Sequence, residues 1–279
     1  MRIPERAGVV EVARRLGLAD PDESWPDYLA RFHEERPGVI QAVLEDCRAG
    51  SRDPYDWLAR SVSRSARVVV DVCCGAGALT RRLAMPGRQV VGVEALDAEL
   101  ALARSRAGEG VRVVRGTPTA LPMGDGQVDA VVTSMGMVTT RDPRALAAEA
   151  ARVLRPGGVF AAMAPTVRPV RRAMVGPALE VARRVGSVPS FPGALEMRMR
   201  ALLADAGLRM VEDARSCYGY TVVDEEAASR VIGALYLPGS TPRGRRSAVA
   251  WLARRAASGQ PVTLPVPMRR IVAVKSPGA

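Results

Sequence analysis

The 279-residue sequence is nearly devoid of lysine and histidine: Lys275 and His33 stand alone. Its positive charge is therefore almost all arginine. Forty Lys and Arg against 29 Asp and Glu leave a formal net charge of +11, which invites a phosphate-bearing partner. The arginines, however, fall in scattered pairs such as Arg14-Arg15, Arg81-Arg82, Arg183-Arg184 and Arg254-Arg255, at positions with helical spacing, and form no single basic tract. With so much Ala, Gly and Val beside it, the arginine bias reads as the imprint of a GC-rich genome. One histidine and four cysteines without a Cys-x-x-Cys pair exclude a zinc site of the usual spacing, so no metal is expected. Cys73 and Cys74 are adjacent, and reduced thiols acting as small side chains are the simplest account of them. Long apolar runs are missing too. None approaches the ~18 residues needed to cross a bilayer, and the N-terminus lacks the pattern of a secretory signal. A cytoplasmic protein with no membrane partner is the expectation. Aromatics are few, and Tyr28, Phe32, Tyr55 and Trp57 gather near the N-terminus.

Two kinds of pattern divide the chain. Residues 1–62 read as a helical N-terminal cap. Val9 to Leu16, Tyr28 to Phe32 and Val39 to Leu44 repeat at helical spacing, and Asp53-Pro54 starts a short helix. From residue 63 onward strand and helix patterns alternate. Strands are predicted at Arg67–Val72, Gln89–Glu94, Val111–Arg115, Val128–Ser134 and Gly158–Ala164, with helices at Gly77–Ala84, Ala98–Ala107 and Ala145–Leu154. Val68-Val69-Val70 is the continuous β-branched run of a strand covered on both faces. Helical insertions are expected around 166–206 and 224–260, a long strand at Met210–Val223 and a final strand at Met268–Lys275. The sum is an α/β fold: a doubly wound, mostly parallel seven-stranded sheet with an antiparallel last strand, spanning residues 63–279.

The first strand runs into Asp71-Val72-Cys73-Cys74-Gly75-Ala76-Gly77. Gly75-x-Gly77 supplies half of a dinucleotide fingerprint, but its third glycine position falls on Thr80. Asp71 discriminates further. A carboxylate at the strand end opposes a pyrophosphate at close range and suits a ligand with a cationic end. S-adenosylmethionine, with its ammonium and sulfonium, is such a ligand. Glu94, ending the next strand, is placed to accept hydrogen bonds from both ribose hydroxyls.

This turn resembles motif I of class I (Rossmann-like) S-adenosylmethionine-dependent methyltransferases, with Cys73 in place of the usual first glycine. The resemblance continues through Val91-Gly92-Val93-Glu94, Gly116 to Met123, Val128-Asp129-Ala130-Val131 and Arg152 to Gly158, covering roughly residues 66–165. It implies S-adenosylmethionine as cofactor and S-adenosylhomocysteine as product. Asp71, Cys73, Gly75 and Gly77 would then meet the methionine half. Glu94 would bind the ribose, Ala95 and Leu96 would lie beside the adenine, Thr117 and Pro118 would flank its amino edge, and Ser134 would sit near the methionine amine. Thr117 stands where the family often has an aspartate, which points to a backbone contact with the adenine.

Methyl transfer needs positioning above all, and a general base only when the acceptor carries a proton. The Asn-Pro-Pro-Tyr signature of amino-group methylases is missing; Thr133-Ser134-Met135-Gly136-Met137 forms an apolar floor instead. His33 is the candidate base, its alternative being a surface or helix-end histidine. Tyr28, Phe32, Met135 and Tyr236 are the candidate pocket walls. The layout resembles enzymes that methylate small metabolites, including those of bacterial secondary metabolism and antibiotic biosynthesis. An RNA methyltransferase and a catalytically inactive, methyltransferase-like binding subunit are the alternatives. The expected partner is a small-molecule acceptor, with nucleic acid the lesser option, and the expected state a monomer or homodimer.

Overall fold

The computed structural model describes residues 24–189 and 195–276. The expected helix at Val9 to Leu16 and the Pro192-Gly193 helix start lie outside them. Helices α1 (Trp25–Glu35), α2 (Val39–Asp46) and α3 (Pro54–Ala59) precede the first strand. The alternating region follows as β1 (Val68–Val72), α4 (Ala78–Leu83), β2 (Gln89–Glu94), α5 (Asp97–Ser105), β3 (Val111–Arg115), β4 (Val128–Ser134), α6 (Gly136–Thr139), α7 (Pro143–Val153) and β5 (Leu154–Pro165). After it come α8 (Arg172–Val185), α9 (Leu195–Asp205), β6 (Leu208–Val222), α10 (Glu225–Ala234), α11 (Pro242–Ala257) and β7 (Val262–Lys275). Several helix starts have a local cause. Asp53, Asp142 and Thr241 each cap the backbone N–H three residues on and are each followed by proline, whose fixed φ favours the first helical turn.

The seven strands lie in the order β3-β2-β1-β4-β5-β7-β6. β1 pairs in parallel with β2 on one side and β4 on the other, and β7 runs antiparallel to both β5 and β6. This is the expected doubly wound sheet with an antiparallel last strand. Period-two alternation distributes β1 between two cores. Val69 faces Leu58, Leu79, Val231 and Leu252 on one side; Val70 and Val72 face Leu146, Ala150 and Leu203 on the other. Those two layers of helices hold the strand ends rigidly, and the site is built on one row of ends.

Three boundaries depart from the sequence reading. β7 begins at Val262, ahead of the expected Met268, and contains Pro265 and Pro267. Proline normally argues against a central strand. Here the stretch before Met268 extends past the end of β5 and pairs only with the edge strand β6, so one of its sides has no ladder to supply. β5 starts at Leu154, four residues early, because Leu154 already pairs with Val128 before a register shift. Within the helical insertion expected around 224–260, α10 stops at Ala234, and Leu235 turns to extended backbone. That turn matters, because it brings Tyr236 into the site.

Phe160, fully buried at the middle of β5, tests the layered core. Phe160→Ala is expected to lower unfolding free energy by about 3–5 kcal/mol, measured by urea denaturation.

Candidate active site

The tips of β1, β2 and β4 lie side by side, where ligands bind in doubly wound sheets. α1 and α2 close over them, together with the α10–α11 connection. Between sheet and cap is a cavity of about 730 Å³, in the size range of small-molecule sites.

Asp71 ends β1 almost fully buried. Its Oδ2 accepts a hydrogen bond from Thr80 Oγ1 at 2.6 Å, while its Oδ1 is buried without a partner. Burial pushes this carboxyl up to about 7, opposed by the Thr80 bond and reinforced by the charge of Glu94. Two more acceptor atoms on the same cavity wall are buried without partners, Ser134 Oγ and Gln41 Oε1. Gln41 reaches down from α2 and donates to the Cys74 carbonyl at 3.1 Å. Its amide lies flat on Gly75. A Cβ at Gly75 would come within 1.9 Å of Gln41 Nε2, and φ is +52° there, so a side chain at this position is strained and displaces the Gln41 amide.

Glu94, at the tip of β2, is turned onto the backbone around it. One carboxylate oxygen accepts Gly75 N–H at 2.8 Å; the other accepts Ala95 N–H at 2.8 Å and Leu96 N–H at 3.0 Å. Three of its roughly four acceptor sites are in use. A ribose diol therefore has to replace or share at least one of these donors. Glu94 organises the turn as well as offering itself to a ligand.

Cys73 and Met135 are the described non-glycine residues with positive φ, at 56° and 69°. Both line the cavity, and a Cβ on Gly136 would lie 2.2 Å from Thr133 Oγ1 and 3.2 Å from Cys73 Sγ. Gly136 lets β4 and the β1 turn approach this closely. Burial pushes the Cys73 and Cys74 thiols far up, so neither serves as a thiolate nucleophile.

Of the residues expected from sequence, Asp71, Cys73, Gly75, Glu94, Ala95, Leu96, Thr117, Pro118, Ser134, Met135, Tyr236 and His33 all line the cavity. Gly77 does not; it caps α4 and packs against Ala103. Tyr28 and Phe32 do not either. Leu29 and His33, one turn apart on α1, take the cavity side, whereas Tyr28 and Phe32 are buried against Trp25 and Tyr236. Tyr28 supports the wall from behind, its hydroxyl accepting the Leu237 N–H at 2.9 Å.

His33 lies in the last turn of α1, as the helix-end alternative had it, with its side chain 19% exposed. Its Nδ1 lies 2.8 Å from Glu99 Oε1 and its Nε2 2.9 Å from Tyr236 Oη. Glu99 and Gln41 are among the cavity residues the sequence reading missed, as are Leu29, Ile40, Arg141 and Asp142. Glu99 had a legible signal: with Leu96, Leu100 and Ala103 it completes the i, i+3, i+4, i+7 row of α5, a carboxylate on an apolar face. Gln41 had none.

The residues fit the sulfonium cofactor that the turn's resemblance implies. Three unpartnered acceptors, one a carboxylate, converge on one wall, which matches a cationic, donor-rich head better than a phosphate. Asp71, Ser134 and Gln41 would hold that end, and Glu94 the hydroxyls. Among the described residues no group of three or more His, Cys, Asp or Glu is placed to hold a metal ion. No described helix is long and apolar enough to cross a membrane.

Comparison with known proteins agrees with this geometry. The sequence profile of the methyltransferase domain family matches residues 70–162. An uncharacterized methyltransferase of Mycobacterium sp. (strain JLS) is 34% identical over 147 residues, which are 53% of this chain and 57% of that protein. Matches thus span about half the length of such relatives. In fold, the chain resembles the SpnF cyclase with a TM-score of 0.59 at 17% identity, over 93% of this chain and 100% of the other. It also resembles a geranyl diphosphate methyltransferase solved with GPP and sinefungin, with a TM-score of 0.55 at 15% identity, over 90% and 100%.

The left-handed conformation at Cys73 yields a direct test. A β-branched residue is an outlier there, so Cys73→Val is expected to lose about 1–3 kcal/mol. Cys73→Gly is expected to stay within about 1 kcal/mol of the parent. Chemical denaturation of both variants measures the difference.

Proposed function

We propose that this chain, which carries a class I methyltransferase domain, uses S-adenosylmethionine to methylate a small-molecule acceptor in the cavity between sheet and cap, in the setting of bacterial secondary metabolism. The observation that carries this reading is the continuity of one cavity. The acidic tips of β1 and β2 form one end, and Leu29, Ile40, Met135 and Tyr236 from cap and floor form the other. A cofactor held at the acidic end presents its reactive centre to an acceptor held at the apolar end.

When bound, the cofactor supplies an electrophilic methyl group on a sulfonium. The chain's own residues do the rest. Asp71 neutralises positive charge at the head, and Thr80 fixes the carboxylate's orientation by its 2.6 Å bond. Glu94 fixes the turn and meets the hydroxyls. Ala95, Leu96 and Pro118 offer an apolar seat for a flat ring. Gln41, Leu29 and Ile40 line the site from the cap side. The α1–α2 cover over the tips of β1 and β2 supports a small acceptor over a folded RNA.

Asp71 makes the cofactor reading testable through pH. The folded carboxyl keeps its proton up to about 7, whereas the unfolded one loses it near pH 4. Between these values the folded state binds the extra proton, so its stability falls as pH rises. A cationic ligand gains a charged partner over the same range. Calorimetry is therefore expected to show S-adenosylmethionine affinity rising from about pH 5 to about pH 8, with Asp71→Asn weakening it by about tenfold or more and flattening the dependence. No binding by the intact protein at any pH overturns the cofactor assignment. Glu94→Ala is a poorer test, since it also removes the anchor of the Gly75 turn.

A further inference from the structure

The chain's excess positive charge is not spread evenly over the fold. Residues 166–189 and 238–261 hold ten arginines and one acid, Glu180, a net +9 of the chain's +11. These two stretches carry α8 and α11, which pack side by side in one helix layer. Val181 and Val185 of α8 and Ala248 and Leu252 of α11 enter the same core. A Cβ at Gly244 would lie 2.6 Å from the Val185 carbonyl oxygen, and the Arg184 guanidinium lies 5.5 Å from the centre of the Trp251 ring. Arginine pairs that are scattered in sequence are thus gathered onto one surface.

Elsewhere arginine pairs are neutralised. Arg81 and Arg82 meet Glu45, Asp53 and Asp56, and Arg152 and Arg155 meet Asp125, Glu149 and Asp129. On α8 and α11, among the described residues, only Arg183 and Arg184 form ion pairs, and both share Glu180. The outward stripe of α8 runs Arg172, Val175, Leu179, Arg183, one residue per turn, so an apolar middle has arginine at both ends. That of α11 runs Arg243, Arg246, Ala250, Arg254 at the same spacing, and all eight side chains are exposed. Leu179 is 65% exposed, and Val167, just before α8, is 78% exposed. Aliphatic side chains held in water within a frame of arginines are the composition of a helix that rests on a charged, apolar-cored interface.

We infer that the α8–α11 face docks on an anionic lipid surface, with Val167, Val175 and Leu179 entering the headgroup boundary and the arginines of both helices meeting lipid phosphates. Charge complementarity selects this partner. A second copy of the chain presents the same positive face and is repelled. RNA suits the arginines but offers nothing to the aliphatic side chains, and single strands are held by stacking on aromatics. Trp251, the one aromatic of the two helices, lies under Arg184. A sheet of anionic headgroups meets both helices at once. It gives Leu179 and the valines an apolar medium while the guanidinium groups stay among the headgroups. No described helix is long and apolar enough to cross a membrane, so the contact is with its surface. Hydropathy along the sequence reports spanning segments and gives no sign of such a face.

Cosedimentation of the intact chain with phosphatidylcholine vesicles, with and without about a third of phosphatidylglycerol, tests the assignment. The mixed vesicles are expected to bind in about 0.1 M salt and to release the chain in about 1 M salt, as the Debye length falls from ~10 Å to ~3 Å. Phosphatidylcholine alone is expected to bind about tenfold less or weaker still. Arg171→Ser with Arg172→Ser is expected to weaken binding to the mixed vesicles by about tenfold. Leu179→Gln is expected to weaken it by about fivefold with the salt dependence unchanged. Arg112→Ser with Arg209→Ser removes the same charge from exposed positions outside the face and is expected to bind as the parent does. All these side chains are exposed, so thermal unfolding is expected to stay near the parent's, which separates a lost contact from a lost fold. Equal binding to both vesicle types, or equal losses in the face variant and the Arg112 and Arg209 control, overturns the proposal. Binding of a double-stranded RNA probe without binding to the mixed vesicles also overturns it and gives the face to nucleic acid. None of the substituted residues lines the cavity, so the outcome stands apart from the methyl-transfer reading.

Discussion

The grip of the Glu94 carboxylate on three backbone N–H groups is the constraint on which this site depends. Through Gly75 it fixes the turn leaving β1; through Ala95 and Leu96 it fixes the turn leaving β2 and hence the start of α5. Charge-assisted hydrogen bonds of this kind are worth roughly twice a neutral one. Glu99 sits in the first turn of α5, so its position in the cap-facing wall follows from the same anchor. One carboxylate thereby sets the turns after β1 and β2 and the start of α5 together.

Three buried carboxylates share the cavity wall, and their surroundings give them different work. Glu94 is satisfied by backbone donors and acts as a brace. Glu99 is satisfied by Gly38 and His33 and acts on the imidazole. Asp71 has one hydroxyl partner and one bare oxygen, and burial holds its proton on to about 7. An under-satisfied buried carboxylate is a standing cost to the fold. A cation is the ligand chemistry that offsets it. The site thus trades stability for affinity at Asp71 and recovers rigidity at Glu94.

The cap end of the cavity follows a different logic. Tyr28, Phe32 and Trp25 form an aromatic layer behind the wall, and Tyr236 is the ring that passes from this layer to the cavity. Its position depends on α10 stopping at Ala234 and the chain turning extended at Leu235. The Tyr28 hydroxyl then holds the Leu237 N–H. The aromatic residues concentrated near the N-terminus therefore act mainly as a scaffold, with His33 and Leu29 on the face that meets the cavity.

Much of this was legible in sequence because it is local or periodic. The β-branched run at Val68 to Val70, the Asp71–Gly77 turn and the acid ending β2 each depend on neighbours a few residues away, so spacing alone announced the sheet and its cofactor turn. The prolines of β7 misled, because their tolerance depends on where β5 ends, a fact about another strand. Tyr28 and Phe32 misled because helical periodicity marks an apolar face without saying what it packs against. Gln41 on Gly75, and His33 on Glu99 and Tyr236, join residues tens to hundreds of positions apart. The sequence by itself determined the fold class and the acidic glycine turn, since short-range sterics and patterning suffice for both. The tertiary structure alone decided which polar atoms are buried without partners and which side chains meet across the cavity, because burial and long-range juxtaposition exist only once the cap has closed on the sheet.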